Sequence, residues 1–148
     1  ALRQSEDNMT VKDGMDLSVC AIDKKNMKLE FAGAYNPIYL ARKGEITEHK
    51  ANKIPIGKGS NKKTNGSFDN NVIDLEKEDV IYMFSDGFPD QKGGPKKKKF
   101  FYPPFRKLLA SIHHLPMEEQ RQTLETTIVD WRGSIEQFDD ILVLGVRV

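Results

Sequence analysis

The chain has 148 residues, 38% of them hydrophobic and 30% charged, with a formal net charge of +1. That length is one domain, able to bury about two-thirds of the surface its unfolded chain exposes. The near-neutral balance removes any global case for nucleic-acid or membrane binding, so a basic patch has to be local. A single cysteine, Cys20, makes no internal disulfide and asks for no oxidising compartment.

The chain opens on a polar stretch, ALRQSEDNMTVKDG, with no signal-peptide pattern and no initiator methionine, as expected of a piece of a longer protein. Residues 1–12 read as a polar leader. The first half then punctuates like an antiparallel meander. Met15 to Ile22 is a strand, and Asp23-Lys24-Lys25-Asn26 is a polar turn. Lys28 to Ala34 is a second strand with Leu29 and Phe31 on one face, and Ile38 to Arg42 is a third. Lys43-Gly44 turns the third into a fourth, Glu45 to His49. The stretch KGSNKKTNGS, residues 58–67, reads as a loop. Asn71 to Leu75 and Val80 to Phe84 are expected to pair across the turn Glu76-Lys77-Glu78-Asp79.

In the second half the apolar period changes. Phe105, Leu108, Leu109 and Ile112 recur at helical spacing behind Pro104, which suits a first helical turn. Met117, Leu124, Ile128 and Trp131 mark one face of a second helix, started near Pro116 and stopped by Gly133. A last apolar strand, ILVLGVRV, closes the chain; no run approaches the ~20 apolar residues of a membrane helix. Strands, two helices, then a strand predict an α+β layered fold.

Two places set carboxylates against the ends of apolar strands: Asp86, in FSDG, and Asp139-Asp140, before Ile141. Oxygen-only ligands, without nearby cysteine or a histidine pair, suit a hard cation such as Mg2+ or Mn2+. Gly87 would let the backbone pass close to an ion or its waters. On spacing alone a second reading stands beside this one: Asp86 is a turn residue, and Asp139-Asp140 caps a strand.

Taken in order, DGMDLSVCAID (13–23), FAGAYNPIYL (31–40), IPIG (54–57), LEKEDVIYMFSDGFPDQ (75–91) and QFDDILVLGVRV (137–148) resemble the SpoIIE/RsbU-type bacterial metal-dependent serine/threonine phosphatases of the PPM superfamily. The resemblance covers residues 13–148 as the C-terminal part of such a domain. It implies an α-β-β-α sandwich of mostly antiparallel sheets flanked by helices, with a two-metal Mg2+ or Mn2+ centre at one edge. By resemblance Asp86 and Asp139 are metal ligands, with Gly87 and Asp140 immediately behind them. The implied reaction is hydrolysis of phosphoserine or phosphothreonine by a metal-activated water. The implied substrate is a phosphorylated regulatory protein such as an anti-sigma-factor antagonist. An upstream sensor region and a cytoplasmic location are implied as well.

The chain departs from the family in two places. The upstream Gly-Asp-x-x-Gly segment, whose aspartate bridges the two metals, has no counterpart in residues 1–12, and Asp13-Gly14 reads as a turn. A catalytically silent phosphatase-fold interaction module is therefore the alternative. Asn36, in Ala34-Tyr35-Asn36-Pro37, stands where many relatives carry histidine. Lys92 and the run Lys96, Lys97, Lys98 and Lys99 read as a solvated, mobile flap after the metal loop; as a secondary reading, these lysines face an acidic substrate. Single-stranded nucleic acid is the third and least favoured reading. His113-His114 make a poor metal pair, His49 is read as a surface residue, and Trp131 as core.

Overall fold

The computed structural model describes residues 14–57 and 67–148; the leader, Asp13 and most of the 58–67 loop lie outside them. The strands are β1 (Leu17–Asp23), β2 (Lys28–Ala34), β3 (Ile38–Arg42), β4 (Glu45–His49), β5 (Asn71–Asp74) and β6 (Val80–Phe84). A short helix α1 (Gly87–Asp90) leads into a small hairpin, β7 (Lys92–Gly93) and β8 (Lys98–Lys99). Helices α2 (Tyr102–Ile112) and α3 (Met117–Arg132) precede β9 (Val143–Arg147).

Two antiparallel sheets stack, one ordered β1-β2-β5 and the other β4-β3-β6-β9. Between them lie Leu29, Phe31, Ile38, Leu40, Leu75 and Ile81. The opposite face of the four-stranded sheet carries Tyr39, Ala41, Val80, Tyr82 and Phe84, packed under Phe105, Leu109 and Ile112 of α2 and Leu124 of α3. Each residue of β3 and β6 therefore meets a core on one side or the other. That is why IYLA and VIYMF are unbroken apolar runs, where a half-solvated strand alternates. The three-stranded sheet does alternate: Leu29 and Phe31 are buried, while Val19 and Val72 on its outer face are exposed. The α+β class with antiparallel sheets and flanking helices holds, and among the described residues the helices cover one face of the sandwich.

The meander does not hold. β2 pairs with β1 and β5, whereas β3 pairs with β4 and β6, so the chain changes sheet between Ala34 and Ile38. Nor do β5 and β6 pair across Glu76–Asp79; that segment is a corner between the sheets. Asp79, 1% exposed, holds the corner. Its carboxylate accepts from Arg42 Nε at 2.9 Å and Nη2 at 2.6 Å, and from the Glu76 backbone N–H at 2.7 Å. A bidentate arginine and a backbone donor compensate a carboxylate taken out of water. By contrast, the turn at Lys43-Gly44 is a hairpin as expected, with both residues at positive φ (50° and 88°), the geometry of a tight two-residue turn.

The last strand begins two residues later than the apolar run suggests. Ile141 and Leu142 lead in from Asp140, and regular pairing starts where Val143 meets Phe84.

Candidate metal-binding edge

Register brings the two carboxylate segments to one end of the four-stranded sheet. β6 ends at Phe84 opposite the first residue of β9, and Met83 lies opposite Ile38, the first residue of β3. Residues 35–37, 85–90 and 138–142 thus leave the sheet at the same edge.

Ser85 stitches two of them together. Its backbone N–H donates to Leu142 O at 3.0 Å, its hydroxyl donates to Asp140 O at 2.6 Å, and the same oxygen accepts from Leu142 N–H at 3.0 Å. Gly87 lets them touch: a Cβ there would stand 2.3 Å from Asp140 O and 2.8 Å from its carbonyl carbon. Gly87, expected to let the backbone pass close to an ion, has the Asp140 backbone as its nearest neighbour and serves the contact between the two segments.

Asp86 takes the N-cap position of α1, yet its side chain makes no capping hydrogen bond. It is exposed, and among the described residues its carboxylate has no hydrogen-bond or ionic partner. A turn aspartate normally spends its oxygens on nearby N–H groups, as Asp23 does at 3.0 Å with both Lys25 and Asn26. Asp139 Oδ1 accepts from Asp140 N–H at 2.7 Å, and its other oxygen has no hydrogen-bond partner among the described residues. The structure brings Asp86, Gly87, Asp139 and Asp140 to one edge. It gathers no group of three or more potential metal ligands among the described residues. The donor chemistry, exposed Asp86 and Asp139 carboxylates with no ion pair among the described residues, fits a hard divalent ion that keeps much of its water.

Three further residues at this edge escaped the sequence reading. Tyr102, the first residue of α2, has its hydroxyl acidity suppressed by burial and then by the charges of Asp86, Asp90 and Glu48. Phe101, its neighbour, is half exposed at φ 71° and ψ 153°, a region otherwise kept for glycine. The signal in the sequence was the aromatic cluster FFY directly before a proline-started helix. Ser85 lay inside the motif, but only the fold reveals what its hydroxyl ties.

The lysine run is a built structure, which corrects its reading as a mobile flap. Gly94 N–H donates to Trp131 O at 2.8 Å, and the Trp131 indole N–H donates to Gln91 O at 3.0 Å. Phe100 meets the Trp131 ring edge-on, centroids 5.4 Å apart. Trp131, at a helical core position, thus serves as the clamp of the β7–β8 hairpin. His49 is likewise half buried, with Nε2 lacking a partner, and burial lowers its pKa. His113 Nε2 accepts from Gly44 N–H at 3.1 Å, which removes it from any metal pair with His114. The hydrogen bonds recorded at Asn36 are made by its backbone, one accepted from the Ser18 hydroxyl at 2.7 Å.

The family model of stage II sporulation protein E (SpoIIE) matches residues 2–148. The chain belongs to the SpoIIE family. Among solved structures, the chain is similar to the SiaA-PP2C domain of Pseudomonas aeruginosa, at 29% identity and a TM-score of 0.81, covering 90% of this chain and 51% of that one. The phosphatase domain of SpoIIE from Bacillus subtilis, in a manganese-presoaked crystal, matches at 18% identity and a TM-score of 0.63, covering 90% of this chain and 56% of that one. The structure of the RsbU and RsbW domains of a Mycobacterium tuberculosis protein matches at 21% identity and a TM-score of 0.59, covering 75% and 31%. No curated protein matches. The chain therefore carries part of a PPM-type phosphatase fold and spans about half the length of the SiaA and SpoIIE domains it resembles.

Proposed function

We propose that this SpoIIE-family chain is the C-terminal part of a Mg2+- or Mn2+-dependent protein serine/threonine phosphatase domain in a bacterial signalling protein. The observation that carries the reading is the placement of Asp86 and Asp139 at one sheet edge, on segments tied by Ser85 and Gly87, with carboxylate oxygens not consumed by capping. Asp86 and Asp139 would hold metal, and Asp140 stands behind them through its backbone contacts. When bound, the ions supply an acidified water and neutralise phosphate charge for hydrolysis of a phosphoserine or phosphothreonine ester.

The chain's own residues hold the geometry. Ser85 fixes the spacing of the two acidic segments, and Gly87 allows their backbones to close. At the start of α2, the Tyr102 hydroxyl is held protonated by burial first and then by the charges of Asp86, Asp90 and Glu48. The substrate is a phosphorylated regulatory protein such as an anti-sigma-factor antagonist, and the domain is the cytoplasmic output of an upstream sensor region. No helix among the described residues is long and apolar enough to cross a membrane.

The second reading, a silent interaction module, draws on the lack of a third ligand among the described residues. Phosphate release from a phosphoserine protein by the full-length protein, with manganese added, separates the two. The phosphatase reading expects turnover abolished by Asp86→Asn; no turnover at any manganese concentration overturns it.

A further inference from the structure

The β7–β8 hairpin bridges both acidic segments. On strand β8 the Lys99 ammonium pairs with Asp90 at 2.7 Å, on the helix that Asp86 starts. On β7, directly opposite Lys99, the Lys92 ammonium sits over the Phe138 ring, 5.5 Å from its centroid and one residue from Asp139. The base is tied to the preceding segment: Phe100 N–H donates to Gln91 O at 3.0 Å, and Phe101 N–H to Pro89 O at 2.7 Å. A Cβ on Gly93 would stand 2.0 Å from Trp131 O, so the hairpin backbone lies directly on the end of α3.

The tip holds what the base does not use. Lys96, Lys97 and Lys98 are exposed, and no ion pair of theirs occurs among the described residues. Adjacent like charges held on this hairpin repel one another, and among the described residues no ion pair offsets the three lysines. We propose that this tip is a docking arm for an acidic polypeptide segment that flanks the phosphorylated residue of the substrate. The proposal rests on the phosphatase reading for the word substrate, and on the hairpin geometry for the rest.

A polypeptide fits better than a nucleic acid. The positive surface is short, and Lys99 at its base is already paired with Asp90, so it offers no continuous track for a phosphodiester strand. No aromatic residue interleaves the tip lysines to stack bases. A cluster of glutamates or aspartates needs only the tip.

The test uses the full-length protein without added metal, so that binding is read apart from turnover. Fluorescence anisotropy follows a labelled glutamate-rich peptide, a glutamine-substituted control and an oligonucleotide of equal charge. The variant K96A/K97A/K98A is expected to weaken the glutamate-rich peptide about tenfold and to flatten its salt dependence, with an unchanged melting curve. The single reversal Lys97→Glu shifts binding in the same direction by less, and serves if the triple variant folds poorly. With manganese present, turnover of a small phosphate ester is expected to stay constant while kcat/KM for an acidic phosphopeptide falls. Unchanged peptide affinity in both variants, equal binding of the glutamine control, or tighter binding of the oligonucleotide overturns the proposal. If lysine-dependent peptide binding appears while no substrate is turned over, the docking arm stands and the phosphatase reading fails.

Discussion

Strand β6 separates two aspartates with opposite fates. Asp79, just before Val80, is 1% exposed and spends its oxygens on Arg42 and the Glu76 N–H. Asp86, two residues beyond Phe84, is exposed and shares its oxygens with no group among the described residues. The same side chain is an internal strut at one end of the sheet and an unpartnered carboxylate, among the described residues, at the other. Local sequence does not tell them apart; the partners do.

The comparison breaks first at Asp79. Asp79→Ala strands Arg42 at the sheet corner and is expected to cost about 3 kcal/mol, read by chemical denaturation. Asp86→Asn should leave stability within ~0.5 kcal/mol while lowering manganese-dependent phosphate release by at least about 100-fold. Should both variants unfold alike, the two ends of β6 do not differ in kind.

Much of this contrast was hidden in the sequence. The bounds of β2, β3, β4 and β6 follow from apolar runs and turn residues, and α3 runs between Pro116 and Gly133 as the helical spacing implies. Partnership did not follow, because periodicity marks a strand and its faces without naming its neighbour. Glu76–Asp79 therefore reads as a hairpin turn, although the buried Asp79 carboxylate, paired with the half-exposed Arg42, makes it a corner. The β7–β8 hairpin was illegible for a related reason: two-residue strands have no periodicity of their own, and theirs come from Trp131, more than thirty residues away. At the site, Asp86 and Asp139 were readable as an ordered pair of motifs. Tyr102 and Phe101 reach that edge only through the fold.

Gly87 sharpens the comparison at the open end. Gly87→Ala places a methyl group 2.3 Å from Asp140 O, which should part the acidic segments and cost about 2 kcal/mol, visible as a lower melting temperature. Its counterpart is Phe101, where strain is already stored. Phe101→Gly is expected to leave stability unchanged or to raise it by up to about 1 kcal/mol; a marked loss would mean the exposed ring is packed more tightly than its surface indicates.

The smallest effect concerns His49, at the site end of β4. Burial lowers its folded pKa below the unfolded value, so the unfolded state binds more protons as the pH falls. Its contribution is whole above about pH 6.5 and is lost as the pH drops toward the lowered folded value. His49→Gln should flatten that part of the stability profile, and an unaltered slope would assign it to other groups.

The central claim is that Asp86 and Asp139 together hold a divalent ion. Manganese titration of the full-length protein, followed by electron paramagnetic resonance, tests it without reference to any substrate. The account predicts saturable binding that is weakened in Asp86→Asn and in Asp139→Asn alike, and preserved in Asp79→Asn wherever that variant stays folded. Manganese affinity unchanged by both site substitutions would contradict it.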